Sequence, residues 1–206
     1  MMNCKKYSVS VLAIILTFCV GVFAGCSTHA GKVAVEKSTS AAGAGMPNGI
    51  KGVHVVESTG TMEVAFSPNG GITDMIVKNI GQAKKSIEVM AYSFTSAEIA
   101  KALQEAHKRG VQVRIILDKS QETEKYSSLT YFHNAGMAVH IDNDFKIAHN
   151  KVMILDGLDV ITGSFNFTKS AEQGNGENCL VIHGNAALAK EYSNYWQWRW
   201  EQTGGN

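Results

Sequence analysis

The chain has 206 residues, 45% hydrophobic and 18% charged, with a formal net charge of +1. That composition excludes a disordered chain and leaves room for one packed domain, and no segment recurs at a solenoid period. Binding to nucleic acid has to come from a local basic patch, because bulk charge cannot supply it.

The first residues read as an address. Lys5 and Lys6 form a positive start, Val9 to Phe23 is an uncharged apolar run, and Phe23-Ala24-Gly25-Cys26 puts small residues before a cysteine. Residues 1–25 are therefore expected to be an export signal of the lipoprotein type. Cys26 would be lipidated and would tether the protein to a membrane of the cell envelope. The alternatives are ordinary cleavage, which gives a periplasmic protein, and an uncleaved anchor. Loss of Lys5 and Lys6 takes the formal charge from +1 to −1. Cys4 and Cys19 lie in the signal, so Cys179 is the thiol left in the domain and no internal disulfide is expected. Residues 26–52 are rich in Ser, Thr, Ala and Gly and read as a flexible linker, with the domain spanning 53–206.

Within that domain Met62 to Phe66 is a short strand, and Ser67 to Gly71 a loop. Ile72 to Lys85 has helical spacing, and Ser86 to Tyr92 is a strand. Ser96 caps a helix that runs to about Arg109 and ends at Gly110. Val111 to Leu117 is a β-branched strand closing at Asp118, a helix covers about Glu122 to Asn134, and Met137 to Ile141 is a strand. His149 to Leu155 and Asp159 to Ser164 are strands joined by a tight turn, and Cys179 to His183 is another. Asn185 caps a last helix to about Trp200. Its Tyr192, Tyr195, Trp196 and Trp200 form a stripe that reads as core, or alternatively as a subunit interface. The alternation implies an α/β domain, a mixed or largely parallel sheet sandwiched by helices.

The chemistry concentrates between His149 and Asn178. Alternate residues share a strand face, so His149 and Lys151 point one way, as do Ser164 and Asn166. Asp156-Gly157-Leu158-Asp159 fits a two-residue hairpin with residue 156 opposite 159. That register sets Lys151 opposite Ser164 and His149 opposite Asn166. An imidazole, an ammonium, a hydroxyl and an amide would then converge on one face, a set suited to a tetrahedral anion such as a phosphodiester. Taken singly, each is more often a satisfied or solvated residue; together on an apolar hairpin they would be costly to bury without a ligand.

His149-x-Lys151-x4-Asp156-x6-Gly163-Ser164-x-Asn166 resembles the HKD signature of the phospholipase D superfamily at every defined position. Ser86 to Phe94 and Val113 to Asp118 also look like that family. The resemblance spans roughly Glu63 to Trp200 and is to the short, exported, single-motif endonucleases of the family. It implies that His149 is the nucleophile at phosphorus, forming a phosphohistidine, and that a second histidine acts as general acid and then base. Lys151, Ser164 and Asn166 would bind the non-bridging oxygens. Glu177 would accept a hydrogen bond from the other imidazole nitrogen. Asp156 and Gly163 would be structural at the site. Because one chain carries one motif, the resemblance implies a homodimer that joins two sites. No metal and no cofactor are expected, since Lys151 brings the positive charge a metal would otherwise supply. The expected partner is nucleic acid, DNA with RNA as an alternative, and Lys119, Lys146 and Lys169 are candidate backbone contacts. The alternatives are a phospholipase acting on phospholipid phosphodiesters and a binding protein that has lost catalysis.

Overall fold

The computed structural model describes residues 45–204. The export signal and Cys26 lie outside the described residues, as does most of the expected linker. Among the described residues no helix is long and apolar enough to cross a membrane.

In chain order the elements are β1 (Thr61–Phe66), α1 (Ile72–Gln82), β2 (Ser86–Ala91), α2 (Ala97–Lys108) and β3 (Gln112–Asp118). A 3-10 turn (Lys119–Glu122), α3 (Leu129–Asn134) and β4 (Ala138–Asp142) follow. The second half holds β5 (Lys151–Leu155), β6 (Asp159–Gly163), α4 (Lys169–Gln173), β7 (Asn178–His183) and α5 (Ala186–Thr203). Among the described residues the seven strands form one sheet in the order β1-β7-β6-β5-β2-β3-β4. Only β2, β3 and β4 run parallel, fed by crossovers through α2 and α3; β5, β6, β7 and β1 pair antiparallel. The sheet is therefore mixed, as the alternation of elements implies.

Both faces of the central strands are buried, which is why β2, β3 and β5 read as near-continuous apolar runs. On one face Ile72, Ile76 and Ile80 of α1 and Ile99 and Leu103 of α2 pack on Ile87, Val89, Ile115, Met153 and Ile161. On the other, Trp196 of α5 is fully buried against Met90, Ile116, Val152, Ile154 and Val160. Its indole Nε1 donates to the Val89 carbonyl at 2.9 Å. The aromatic stripe of α5 is thus core packing, with the Trp196 and Trp200 rings stacked at 4.9 Å.

The structure differs from the expected elements in three places. The helix expected over 122–134 is shorter, because Asp118 caps a 3-10 turn at Lys119–Glu122. The buried Gln121 side chain then accepts from the Phe94 N–H, and the Ser128 N–H is drawn to the Phe94 carbonyl. Helix α4, one turn capped by Thr168, has too few residues to show a period. The β5–β6 register is shifted by one, with Leu155 opposite Asp159 and Val152 opposite Thr162. The loop has three residues, and both Asp156 (φ 57°) and Gly157 (φ 66°) are left-handed.

Candidate active site

The register shift moves the expected constellation. Lys151 falls level with Gly163, one position short of Ser164, so strand pairing alone does not align the four polar groups. Nor does His149 lie on a strand. It precedes β5 in an irregular stretch anchored at Asn150, whose carbonyl accepts from the Tyr92 N–H at 2.9 Å. Ser164 is instead set by Gly163. Its φ of 157° ends β6, and a Cβ there would stand 2.3 Å from the Asn178 carbonyl oxygen and 2.9 Å from the Cys179 Cα. Glycine alone permits this approach. The chain then bends so that the Ser164 and Phe165 N–H groups both donate to the Asn178 carbonyl.

That bend holds the Ser164 hydroxyl in a fixed network. It donates to Glu177 Oε2 at 2.6 Å and accepts from the Asn178 backbone N–H at 3.1 Å. Asn175 Nδ2 donates to the other Glu177 oxygen at 3.0 Å. The Glu177 N–H is itself held by the Ser67 hydroxyl, which donates to the Asn175 carbonyl. Glu177 therefore positions Ser164. Its two oxygens are taken by Ser164 and Asn175, and the expected bond to the His149 imidazole is not formed among the described residues.

Lys151 is the unusual group. It is 7% exposed, and its ammonium donates to the His149 carbonyl at 3.0 Å. Burial pulls its pKa below the ordinary lysine range, while the Glu177 carboxylate nearby opposes the shift. The Tyr92 ring closes the other side. It lies 5.3 Å from Lys151 Nζ and 4.7 Å from the His149 ring, whose residue is exposed. Asn166 sits between the two core residues Phe165 and Phe167, with its Oδ1 buried and without a hydrogen-bond partner among the described residues. An exposed imidazole, a buried ammonium and a braced hydroxyl, all at the same end of the central strands β5 and β6, can together hold and attack a phosphoryl group.

Asp156 stands at the opposite end of β5, away from His149. Its carboxylate accepts from the backbone N–H groups of Lys84, Lys85 and Ser86 at 2.7–3.1 Å, clamping the hairpin loop to the start of β2. Burial opposes ionisation there, but the three N–H donors prevail and hold its pKa below the usual carboxylate range. The candidate cations are scattered. Lys119 donates to the Phe145 carbonyl beside the His149 loop, and Lys146 is exposed in that loop. Lys169 lines a separate cleft with Asp74, Glu98 and Glu172. Cys179 is buried, and burial pushes its thiol up to about 12. Tyr92, Ser67, Asn175 and Asn178 are absent from the sequence motif. Of these, Tyr92 alone carried a signal, an aromatic at the end of an apolar strand. No group of three or more His, Cys, Asp or Glu side chains with metal-binding geometry occurs among the described residues.

Residues 76–200 match the family described as "Cardiolipin synthase, PLD-like domain". A protein named "Phospholipase D" from Rickettsia bellii is 38% identical over 193 residues, covering 93% of this chain and 94% of its own. A protein of the same name from Rickettsia prowazekii is 43% identical over 139 residues, 68% of this chain and 67% of its own. Among solved structures, the phospholipase D family member Nuc from Salmonella typhimurium superposes with a TM-score of 0.67 at 43% identity. It covers 69% of this chain and 95% of that one.

Proposed function

The chain belongs to the phospholipase D superfamily and is a phosphodiester hydrolase, and from that premise we propose that it is a metal-independent endonuclease cleaving DNA, and RNA as a further substrate, as a homodimer. The observation that carries the reading is the buried Lys151 ammonium beside the Ser164–Glu177 pair, with the His149 ring exposed in front of it. His149 attacks phosphorus in line, the P–O bond to the leaving group breaks, and a phosphohistidine forms. The histidine of a second copy protonates the leaving oxygen and then takes a proton from the water that releases the product. Lys151 and Ser164 stabilise the equatorial oxygens, and the amide of Asn166 adds a donor; each such donor supplies about 3 kcal/mol in comparable sites. Lys151 supplies the charge that a metal supplies in other phosphodiesterases. Support for nucleic acid comes from the likeness to Nuc, which is spanned over nearly its whole length, and from Lys119 and Lys146 next to His149.

A second reading is phospholipid hydrolysis, favoured by the name carried by the Rickettsia relatives. We further propose that export and lipidation at Cys26 place the enzyme in the cell envelope, where either substrate is met. The test is hydrolysis of plasmid DNA and of phospholipid vesicles in excess EDTA, by the wild type and by His149→Ala. Cleavage of DNA by the wild type alone supports the proposal. Headgroup release without DNA cleavage moves the assignment to lipid, and a requirement for added metal refutes the mechanism.

A further inference from the structure

His149 lies outside any helix or strand, so its ring is placed by the backbone on either side of it. β3 ends at Asp118 and β2 at Ala91, and Ala91 pairs with both Leu117 and Lys151. The chain from Ala148 to Lys151 therefore crosses the end of β2, from the β3 side to β5. Three bonds hold it there. The Asn150 carbonyl accepts from the Tyr92 N–H at 2.9 Å, and the His149 carbonyl accepts from the Lys151 ammonium at 3.0 Å. On the other side of His149, the Ala148 N–H donates to Asp118 Oδ2 at 2.7 Å. Asp118 is 3% exposed, and its second oxygen accepts from the Ser120 N–H at 2.9 Å. A carboxylate is almost never buried this far unless its oxygens are bound, and here both partners are backbone N–H groups.

We propose, on the phosphohistidine reading above, that Asp118 is a positioning residue for the reaction, fixing the His149 imidazole for attack by holding the amide that precedes it. The bonds from Tyr92 and Lys151 secure the C-terminal side of His149, through strands whose pairing already places them. Asp118 secures the N-terminal side, and it does so from a strand outside the sequence motif. Farther upstream the same loop is anchored at its base. Arg199, 3% exposed, donates to the two Asp142 oxygens at 2.8 and 2.9 Å and to Asp144 at 2.9 Å. Lys119 donates to the Phe145 carbonyl at 2.9 Å. Between that base and His149 stand Lys146 and Ile147, both exposed, followed by the buried Ala148. Without the Asp118 bond the exposed stretch would run directly into His149, and its motion would reach the ring. A displacement of about 1 Å at a reacting group costs on the order of 100-fold in rate, so a single bond at Ala148 is enough to matter.

The test compares the full wild-type chain with Asp118→Ala, Asp118→Asn and, as a control for lost stability, Asn185→Ala. Asn185 caps α5 through the Leu188 N–H beside the β5–β6 hairpin loop, away from His149. Thermal unfolding is recorded for each. KM and kcat for DNA cleavage, and the rate of phosphohistidine formation within one turnover, are then measured well below every midpoint. Asp118→Ala is expected to lose about 100-fold in kcat and in adduct formation, with KM within about twofold of wild type. Asp118→Asn keeps one acceptor oxygen and is expected to lose about 10-fold in the same two rates. Asn185→Ala is expected to unfold earlier and to keep the wild-type kcat. If Asp118→Ala does not fold, Asp118→Asn decides alone, and a wild-type rate of adduct formation in it overturns the proposal. Equal losses of kcat in Asp118→Ala and Asn185→Ala would make Asp118 a stabilising residue only, and a loss confined to KM would place it in DNA binding. Either result overturns the proposal and leaves the phosphohistidine reading standing. Cleavage without an adduct in the wild type removes that reading, and the role of Asp118 with it.

Discussion

Asp156 completes the sequence motif, yet the structure gives its carboxylate nothing to do at the reacting centre. Removing it separates the two roles. In Asp156→Ala the backbone N–H groups of Lys84, Lys85 and Ser86 lose their acceptor. Hydrogen bonds to a charged group contribute about 1.5–3 kcal/mol each, but Lys84 and Lys85 are exposed and water replaces much of that. We take about 2 kcal/mol for the lost contacts. Residue 156 has φ 57°, and an alanine held left-handed costs about 1 kcal/mol more. The sum, about 3 kcal/mol, lowers the unfolding midpoint by roughly 6–12 °C for a domain of this size. Asp156→Asn keeps an acceptor and tolerates the left-handed backbone, so it should lose about 1 kcal/mol. The assay is urea unfolding beside DNA cleavage at a temperature well below both midpoints. The expected result is a marked loss of stability with cleavage within about twofold of wild type. A variant of unchanged stability that no longer cleaves would refute the structural role.

Other consequences follow from the same geometry. Gly163→Ala forces a Cβ to 2.3 Å from the Asn178 carbonyl, so β6 and β7 must part beside Ser164. It should cost about 1–3 kcal/mol in unfolding assays and reduce cleavage by more than tenfold. Lys151→Met should reduce kcat by about 100- to 1000-fold while leaving denaturant stability unchanged or raised, because a buried charge is replaced by an apolar chain. Lys151 must be cationic to act, and its pKa is lowered from 10.5, so the alkaline limb of the pH–rate profile should fall below that value. His183 has its pKa raised from 6.5 by the Asp159 hydrogen bond, and also by Glu63. Its contribution to stability is present in full below pH 6.5 and lost as pH rises through the higher folded value, and His183→Gln should flatten that slope in thermal scans.

The strands and helices from β1 to β3 are legible because each obeys one local rule, whereas the 3-10 turn after β3 is set by the Asp118 cap and the Gln121–Phe94 bond. Ser96 caps α2 through the Ile99 N–H, and alternate burial marks β1. The candidate site was legible as a set of residue types, since a long gapped pattern fixes identities. Its geometry was not, because that depends on backbone states that a motif does not encode. A left-handed Asp156 lengthens the hairpin loop by one residue and moves Lys151 off Ser164. Gly163 then fixes the position of Ser164 through a contact with β7, a strand fifteen residues later. The partners of Glu177 were likewise hidden, because Asn175 and Ser67 reach it from loops with no periodic signal.

The covalent step at His149 is the centre of the proposed mechanism. Wild-type enzyme is mixed with labelled DNA, quenched within one turnover at alkaline pH, where phosphohistidine persists, and digested for mass spectrometry. The expected result is a DNA phosphate attached to the peptide containing His149, absent in His149→Ala and formed in excess EDTA. Rapid cleavage with no adduct at any quench time would mean that water attacks phosphorus directly, and would contradict it.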